Sequence, residues 1–222
     1  MGKIAIDFGT GNTLIARHHE TENRLETLAL PGISTPLRYR LAPGQPEHQV
    51  AVIPSMIHYT ETEILIGDQV LSRGLAEQRE TFRWIKRSLA QASNKSKKTA
   101  VGHKTYREAG TDFLTILLNY ISDQVDFAED EFTFTLPVEA FENFQSWLEE
   151  VADGLGLRRV RFLDEPTACV LGYHGIARHD ERFLVFDFGC GTLDVSAVRI
   201  DLSSGGADIK AVQLGKAALP LS

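Results

Sequence analysis

The chain has 222 residues, 43% of them apolar and 24% charged, with a formal net charge of −7. That is the composition of an ordinary globular protein, long enough to bury a substantial core as one large domain or two small ones. The acidic balance excludes general affinity for nucleic acid, so any phosphate binding must be local. Two cysteines, Cys169 and Cys190, lack CxxC spacing, which speaks against a metal cluster or a disulfide framework and for a reducing compartment. No apolar run approaches a secretory signal or a membrane span, so a cytoplasmic protein without a membrane partner is expected. Gly2 does not make a myristoylation site, because Ile6 stands where that motif needs Ser or Thr.

In chain order, two apolar segments flank the GTGN turn between Lys3 and His18, and residues 26–30 supply a third, which predicts a β-meander. The proline-rich stretch PGISTPLRYRLAPGQPEH has no period and is expected to be an exposed loop. Strand signals resume at VAVIPSMIHYT and EILIGD. Val70, Leu71, Leu75, Phe82, Ile85 and Leu89 recur at helical spacing and predict two short helices, with breaks at Gly74 and at Glu80-Thr81. QASNKSKKTAVGHK is polar and non-periodic and is expected to be a mobile loop. An amphipathic helix covers Phe113 to Val125, and FTFTL alternates as a strand. Pro137 is expected to start a helix that ends at Asp153-Gly154. VRFL is a strand, and Asp164 caps a helix with Pro166 in its first turn, running to about Ala177. A second β-meander follows, with a hairpin turn at Ser204-Gly205-Gly206. The whole is mixed α/β.

Residues 4–16 read IAIDFGTGNTLIA and residues 183–197 read FLVFDFGCGTLDVSA. Asp7 and Asp187 stand 180 residues apart, too far for a solenoid or propeller repeat, so the copies mark two halves. A strand ending in Asp delivers a carboxylate to the sheet edge, and Gly-x-Gly makes a tight turn whose amides can approach phosphate oxygens. Carboxylate plus amide nest suits a phosphate with Mg²⁺, which keeps several waters and takes one or two carboxylates. One copy alone is equally well a hairpin turn, since Asp-x-Gly is common turn chemistry; the matched pair is what favours the phosphate reading. A protein kinase is excluded, because the HRDxxxxN loop and a VAIK-like strand are missing.

DFGTGNT and VFDFGCGTLDVS resemble the two phosphate-binding loops of the actin, hexokinase and heat-shock ATPase superfamily. Within it, FRWIKRSL, FTFTLPVEAF and FLDEPTACVLGY resemble segments of the seventy-kilodalton heat-shock (DnaK-type) chaperones, as does IPSMIHYTETEILIGDQV. These ordered matches span much of residues 3–200. The resemblance implies a ribonuclease H-like, actin-type ATPase fold with mixed five-stranded sheets, helices and a duplicated β-meander core. Of this fold only the first lobe is expected, over residues 1–200, with a reduced upper subdomain at about 31–104. Residues 201–222 would begin the segment leading to a second lobe, which is missing here.

The same resemblance implies ATP or ADP and Mg²⁺ as cofactors. Asp7, Asp187 and Glu165 would face the metal. Gly9, Thr10, Gly11 and Asn12 of the first loop, and Gly189, Cys190, Gly191 and Thr192 of the second, would surround the phosphates. Lys86, Glu165, Thr192 and Asp194 would carry the attack of water on the γ-phosphate. Taken singly, Lys86 reads as a solvated helix lysine, Glu165 as a first-turn carboxylate and Asp194 as an exposed strand residue.

Three departures stand out against the family pattern. Gly11 replaces a common threonine, Cys190 replaces a glycine, and Gln145 stands eight residues after Pro137 where arginine is usual. The first two put turnover in doubt, and the third puts signalling to a peptide-binding domain in doubt. The function expected is the ATP-binding and ATP-hydrolysing lobe of a DnaK-like chaperone, with protein clients and co-chaperones as partners of a full-length protein. These 222 residues alone are expected to bind ATP poorly and hydrolyse little. The alternatives are an actin-like filament-forming ATPase and a nucleotide-binding module without turnover. His18-His19 and His174/His179 have no completing ligands and are assigned to the surface.

Overall fold

A computed structural model describes residues 2–19, 23–40, 42–91, 94–137, 141–173, 180–190, 192–202 and 209–220. The opening β-meander forms as expected from β1 (Lys3–Phe8), β2 (Asn12–His19) and β3 (Arg24–Thr27), all antiparallel neighbours. Ile4, Ile6 and Phe8 alternate inward along β1, which is why this strand settles at the centre of the sheet.

The proline-rich stretch is not all loop. It contributes β4 (Thr35–Tyr39), which pairs along its length with β5 (His48–Pro54). The partner strand supplies the hydrogen bonds that local pattern does not advertise, and Tyr39 stacks on His48. A small sheet follows from β6 (Ile57–Tyr59), β7 (Ile64–Ile66) and, beyond α1 (Asp68–Ser72), β8 (Thr81–Phe82). Two short helices are present, the second being α2 (Ile85–Ala90), but Phe82 belongs to a strand rather than to either helix.

The segment expected as a mobile loop instead forms a hairpin, β9 (Ser96–Thr99) with β10 (Gly102–Thr105). Lys97 anchors it: its ammonium donates to the Thr81 carbonyl at 2.6 Å and lies over the rings of Phe82 and Tyr106. Helix α3 (Tyr106–Asn119) starts at a capping box made by Thr105 and Glu108. It stops short of Ile121 and Val125, although both still pack on the core.

Strand β11 (Glu131–Leu136) leads to α4 (Phe141–Leu155). The described part of this helix begins at Phe141, and residues 138–140, on which the expected start at Pro137 depends, lie outside the described residues. The helix runs past Asp153-Gly154 to stop before Gly156, whose φ of 75° no right-handed helix continues. Strand β12 (Arg159–Asp164) and α5 (Glu165–Tyr173) follow. The Thr167 amide donates to Asp164 Oδ1 at 2.9 Å, the cap the sequence predicts. The expected extension of α5 to Ala177, His174/His179 and the turn at 204–206 lie outside the described residues. The second meander is β13 (Arg182–Phe188), β14 (Thr192–Leu202) and β15 (Ile209–Pro220), antiparallel in that order.

The fold is therefore mixed α/β. Its main sheet contains a five-stranded unit, β3-β2-β1-β11-β12, in which β1, β11 and β12 run parallel. The expected five strands fall short of the count, because the β4-β5 hairpin joins through Asn12 and Thr13 and makes seven. The second sheet has three strands among the described residues. Helices α3 and α4 cover one face of the main sheet, where Phe8, Phe113, Phe144 and Trp147 form an aromatic cluster with centroids 5.2–6.3 Å apart. Helix α2 lies against α3 at Gly110. A methyl group there would stand 2.9 Å from Trp147 and 3.0 Å from Ile85, so glycine is what lets the two helices approach. A smaller core of Val170, Val198 and Ile200 joins α5 to the second sheet.

Candidate functional site

Three parallel strands point their C-terminal ends the same way, which is where open α/β sheets place ligands. Strand β1 delivers Asp7 there, β11 delivers Thr135, and β12 passes directly into α5 with Glu165 as its first residue. Thr135 donates its hydroxyl to Asp7 Oδ1 at 2.6 Å, which fixes that carboxylate. The β1-β2 turn is closed by the Gly9 amide donating to the Asn12 carbonyl at 3.0 Å. It is tied to the end of β5 by the Ser55 amide on the Gly11 carbonyl at 2.9 Å, and by the buried Thr13 and Ser55 hydroxyls at 2.9 Å.

The second turn faces the first across a cleft of about 870 Å³. The cleft is lined by Asp7, Gly9, Thr10, Gly11 and Asn12 from the first loop side, and by Asp187, Gly189, Cys190 and Asp194 from the second. Lys86 and Glu165 line it as well. Gly191 and the side chain of Thr192 lie outside the described residues; the Thr192 backbone opens β14. The sequence pattern thus brings its described candidates into one cavity of the size that holds a cofactor.

The electrostatics have a clear organisation. Lys86 Nζ and Glu165 Oε1 form an ion pair in which both side chains are largely buried. Burial pushes the Glu165 carboxyl above its ordinary value of 4.5, Lys86 pulls it back, and Asp7 and Asp187 push it further up. Asp187 and Asp194 are direct cross-strand partners, an arrangement in which like charges oppose folding. Burial and then Asp194 raise the Asp187 carboxyl, with Lys86 acting the other way. Four carboxylates therefore converge on one cleft, where a cation would relieve their mutual repulsion.

No group of three or more His, Cys, Asp or Glu among the described residues is arranged to enclose a metal. The donor set fits Mg²⁺ held largely through its waters by one or two carboxylates. Asp7, Asp187 and Glu165 all line this cleft.

Sequence reasoning missed Thr135, Arg87 and Cys169. Thr135 sits one residue before the end of a strand parallel to β1, a signal that strand pairing would have supplied. Cys169 lines the cleft from α5, its thiol raised by burial and by Asp187. Cys169 and Cys190 are both free thiols. Gln145 is half-buried on α4, and its Nε2 donates to Glu149 Oε1 at 2.8 Å. Among the described residues no helix is long and apolar enough to cross a membrane.

Comparison with known proteins gives these features a context. Residues 148–217 match the family model described as Hsp70 protein. The chain is 30% identical over 181 residues to the chaperone protein dnaK1 of Prochlorococcus marinus, covering 71% of this chain and 27% of that one. It is 29% identical over 152 residues to the chaperone protein DnaK of Mycoplasmopsis agalactiae, covering 66% and 24%. Against a chaperone protein HscA homolog of Actinobacillus pleuropneumoniae it is 23% identical over 231 residues, covering 91% and 34%. The chain spans about a quarter to a third of the length of these curated relatives.

Proposed function

The chain belongs to the Hsp70 family, and on that premise we propose that its cleft grips the phosphates of ATP or ADP and serves the ATPase of a DnaK-like chaperone. The observation that carries this reading is the buried Lys86–Glu165 pair between two glycine turns that each follow an Asp-Phe-Gly. An amide-lined turn on either side holds phosphate oxygens without needing side chains. Residues 1–200 form the first lobe in this reading, with 201–222 leading toward a second, and the cytoplasm is its location.

Each residue has a distinct task. The amides of Thr10, Gly11 and Asn12 and of Gly189 to Thr192 orient the phosphate chain, while Gly9 shapes the first turn by donating its own amide to the Asn12 carbonyl. Lys86 supplies positive charge where negative charge builds on the γ-phosphate, and Glu165 holds that ammonium in place. Asp194 and Glu165 orient the attacking water, and Thr192 contributes beside them. Asp7, Asp187 and Glu165 would hold Mg²⁺, which would supply neutralisation of the phosphate charge. Water attacks in line, and positioning accounts for most of the acceleration. Clients and co-chaperones are partners of the full-length protein.

The test is Lys86→Ala in the full-length chain. Phosphate release should fall by about a hundredfold or more while ATP affinity changes only a few-fold. Hydrolysis at the parent rate would overturn the assignment. A second reading, a nucleotide-binding module without turnover, is favoured by Gly11 and Cys190; it predicts ATP binding with no phosphate release from the parent itself.

A further inference from the structure

Gly11 and Cys190, the two residues that depart from the family pattern in the loops, meet in space. A Cβ placed on Gly11 would lie 2.6 Å from Cys190 Sγ and 3.6 Å from Cys190 Cβ, and among the described residues beyond its chain neighbours it would meet nothing else within 4 Å. Carbon and sulfur at that separation are far inside van der Waals contact. The backbone does not demand glycine here, since Gly11 is not among the residues with positive φ. The thiol is what excludes a side chain. On its other side the first loop is fixed, because the Gly11 carbonyl is held by the Ser55 amide.

We propose that Gly11 and Cys190 form one steric unit, in which the thiol sets the gap between the two loops and acts as a positioning residue for the phosphate chain of a nucleoside polyphosphate. The inference rests on the reading of the cleft as a nucleotide site. A threonine at position 11 and a cysteine at 190 cannot both keep these positions. The thiol yields only by rotating about its single Cα–Cβ bond, which withdraws it from the gap and leaves the loops without their spacer. A thiol is a weak donor, so the loops of this chain hold phosphate through amides at a separation fixed by sulfur, where the family pattern uses a hydroxyl and an open glycine.

The experiment is a double-mutant cycle in the full-length chain, comparing the parent with Gly11→Thr, Cys190→Gly and the combination. ATP and ADP affinity is measured by calorimetry, and melting is measured without nucleotide. Gly11→Thr alone should weaken ATP binding about tenfold, Cys190→Gly a few-fold, and the combination should return to within about threefold of the parent. Cys190→Ser, which keeps the spacer, should stay close to the parent. A combined loss equal to the product of the single losses overturns the proposal. If the parent binds neither ATP nor ADP, the nucleotide reading falls, and melting decides the steric unit by itself. Partial recovery of the melting temperature in the double variant then supports it, and additive losses overturn it.

Discussion

Phe8 and Phe188 occupy the same place in the two Asp-Phe-Gly copies, yet Phe8 is 1% exposed and Phe188 is 73% exposed. Phe8 sits at the centre of a seven-stranded sheet, under α3 and α4, in contact with three aromatic rings. Phe188 ends an edge strand of a three-stranded sheet, and Leu184 and Phe186 are exposed on the same face. Among the described residues, the opposite face of that sheet is packed by α5. One local sentence therefore follows two strands whose supports differ. Turn chemistry is written locally, while rigidity is supplied by whatever packs behind it.

The contrast can be broken most forcefully at Phe8. Phe8→Ala should cost about 3–5 kcal/mol in urea denaturation, because the aromatic cluster cannot collapse around the missing ring. Next in size is the fastening of the first carboxylate. Thr135→Val keeps the volume but removes the hydroxyl from Asp7 and should cost about 1.5–3 kcal/mol by the same measurement.

The second copy is expected to respond to charge. Asp187 holds its proton more tightly in the folded chain than its ordinary value of 3.8, so its contribution to stability is present below that value and fades as pH rises through the raised one. Asp194→Asn should flatten that decline and add about 0.2–1 kcal/mol at neutral pH, read from melting curves between about pH 4 and pH 7. A steeper decline would contradict the repulsion between the two strands. Smallest of all, Phe188→Ala should change the stability of this chain by less than about 0.5 kcal/mol. A loss as large as that of Phe8→Ala would show that the two copies are equally supported.

Much of this was legible in the sequence because it is local. The meander around GTGN, the Asp164 cap and the alternation of FTFTL each follow from neighbouring residues. So was the convergence of Asp7, Lys86, Glu165 and Asp187, through the resemblance of ordered motifs. What escaped depends on distant partners. The β9-β10 hairpin is polar by composition and is held by Lys97 against rings from two other elements. Strand β4 exists because β5 is there to pair with it. Thr135 becomes part of the site only once β11 lies beside β1. Gly11 and Cys190 each read as a defect when taken separately, and as a fit only in three dimensions.

Lys86 rides on a helix of six residues, too short to define its own position. Its placement is inherited from α3, through the contact that Gly110 leaves open to Ile85 and Trp147. A single methyl group on α3 would act as a wedge, tilting the ammonium out of register with Glu165 while leaving both glycine turns untouched. The reach of the lysine is thus encoded on a surface that never meets the cleft, and a change there would slow the chemistry without loosening the grip.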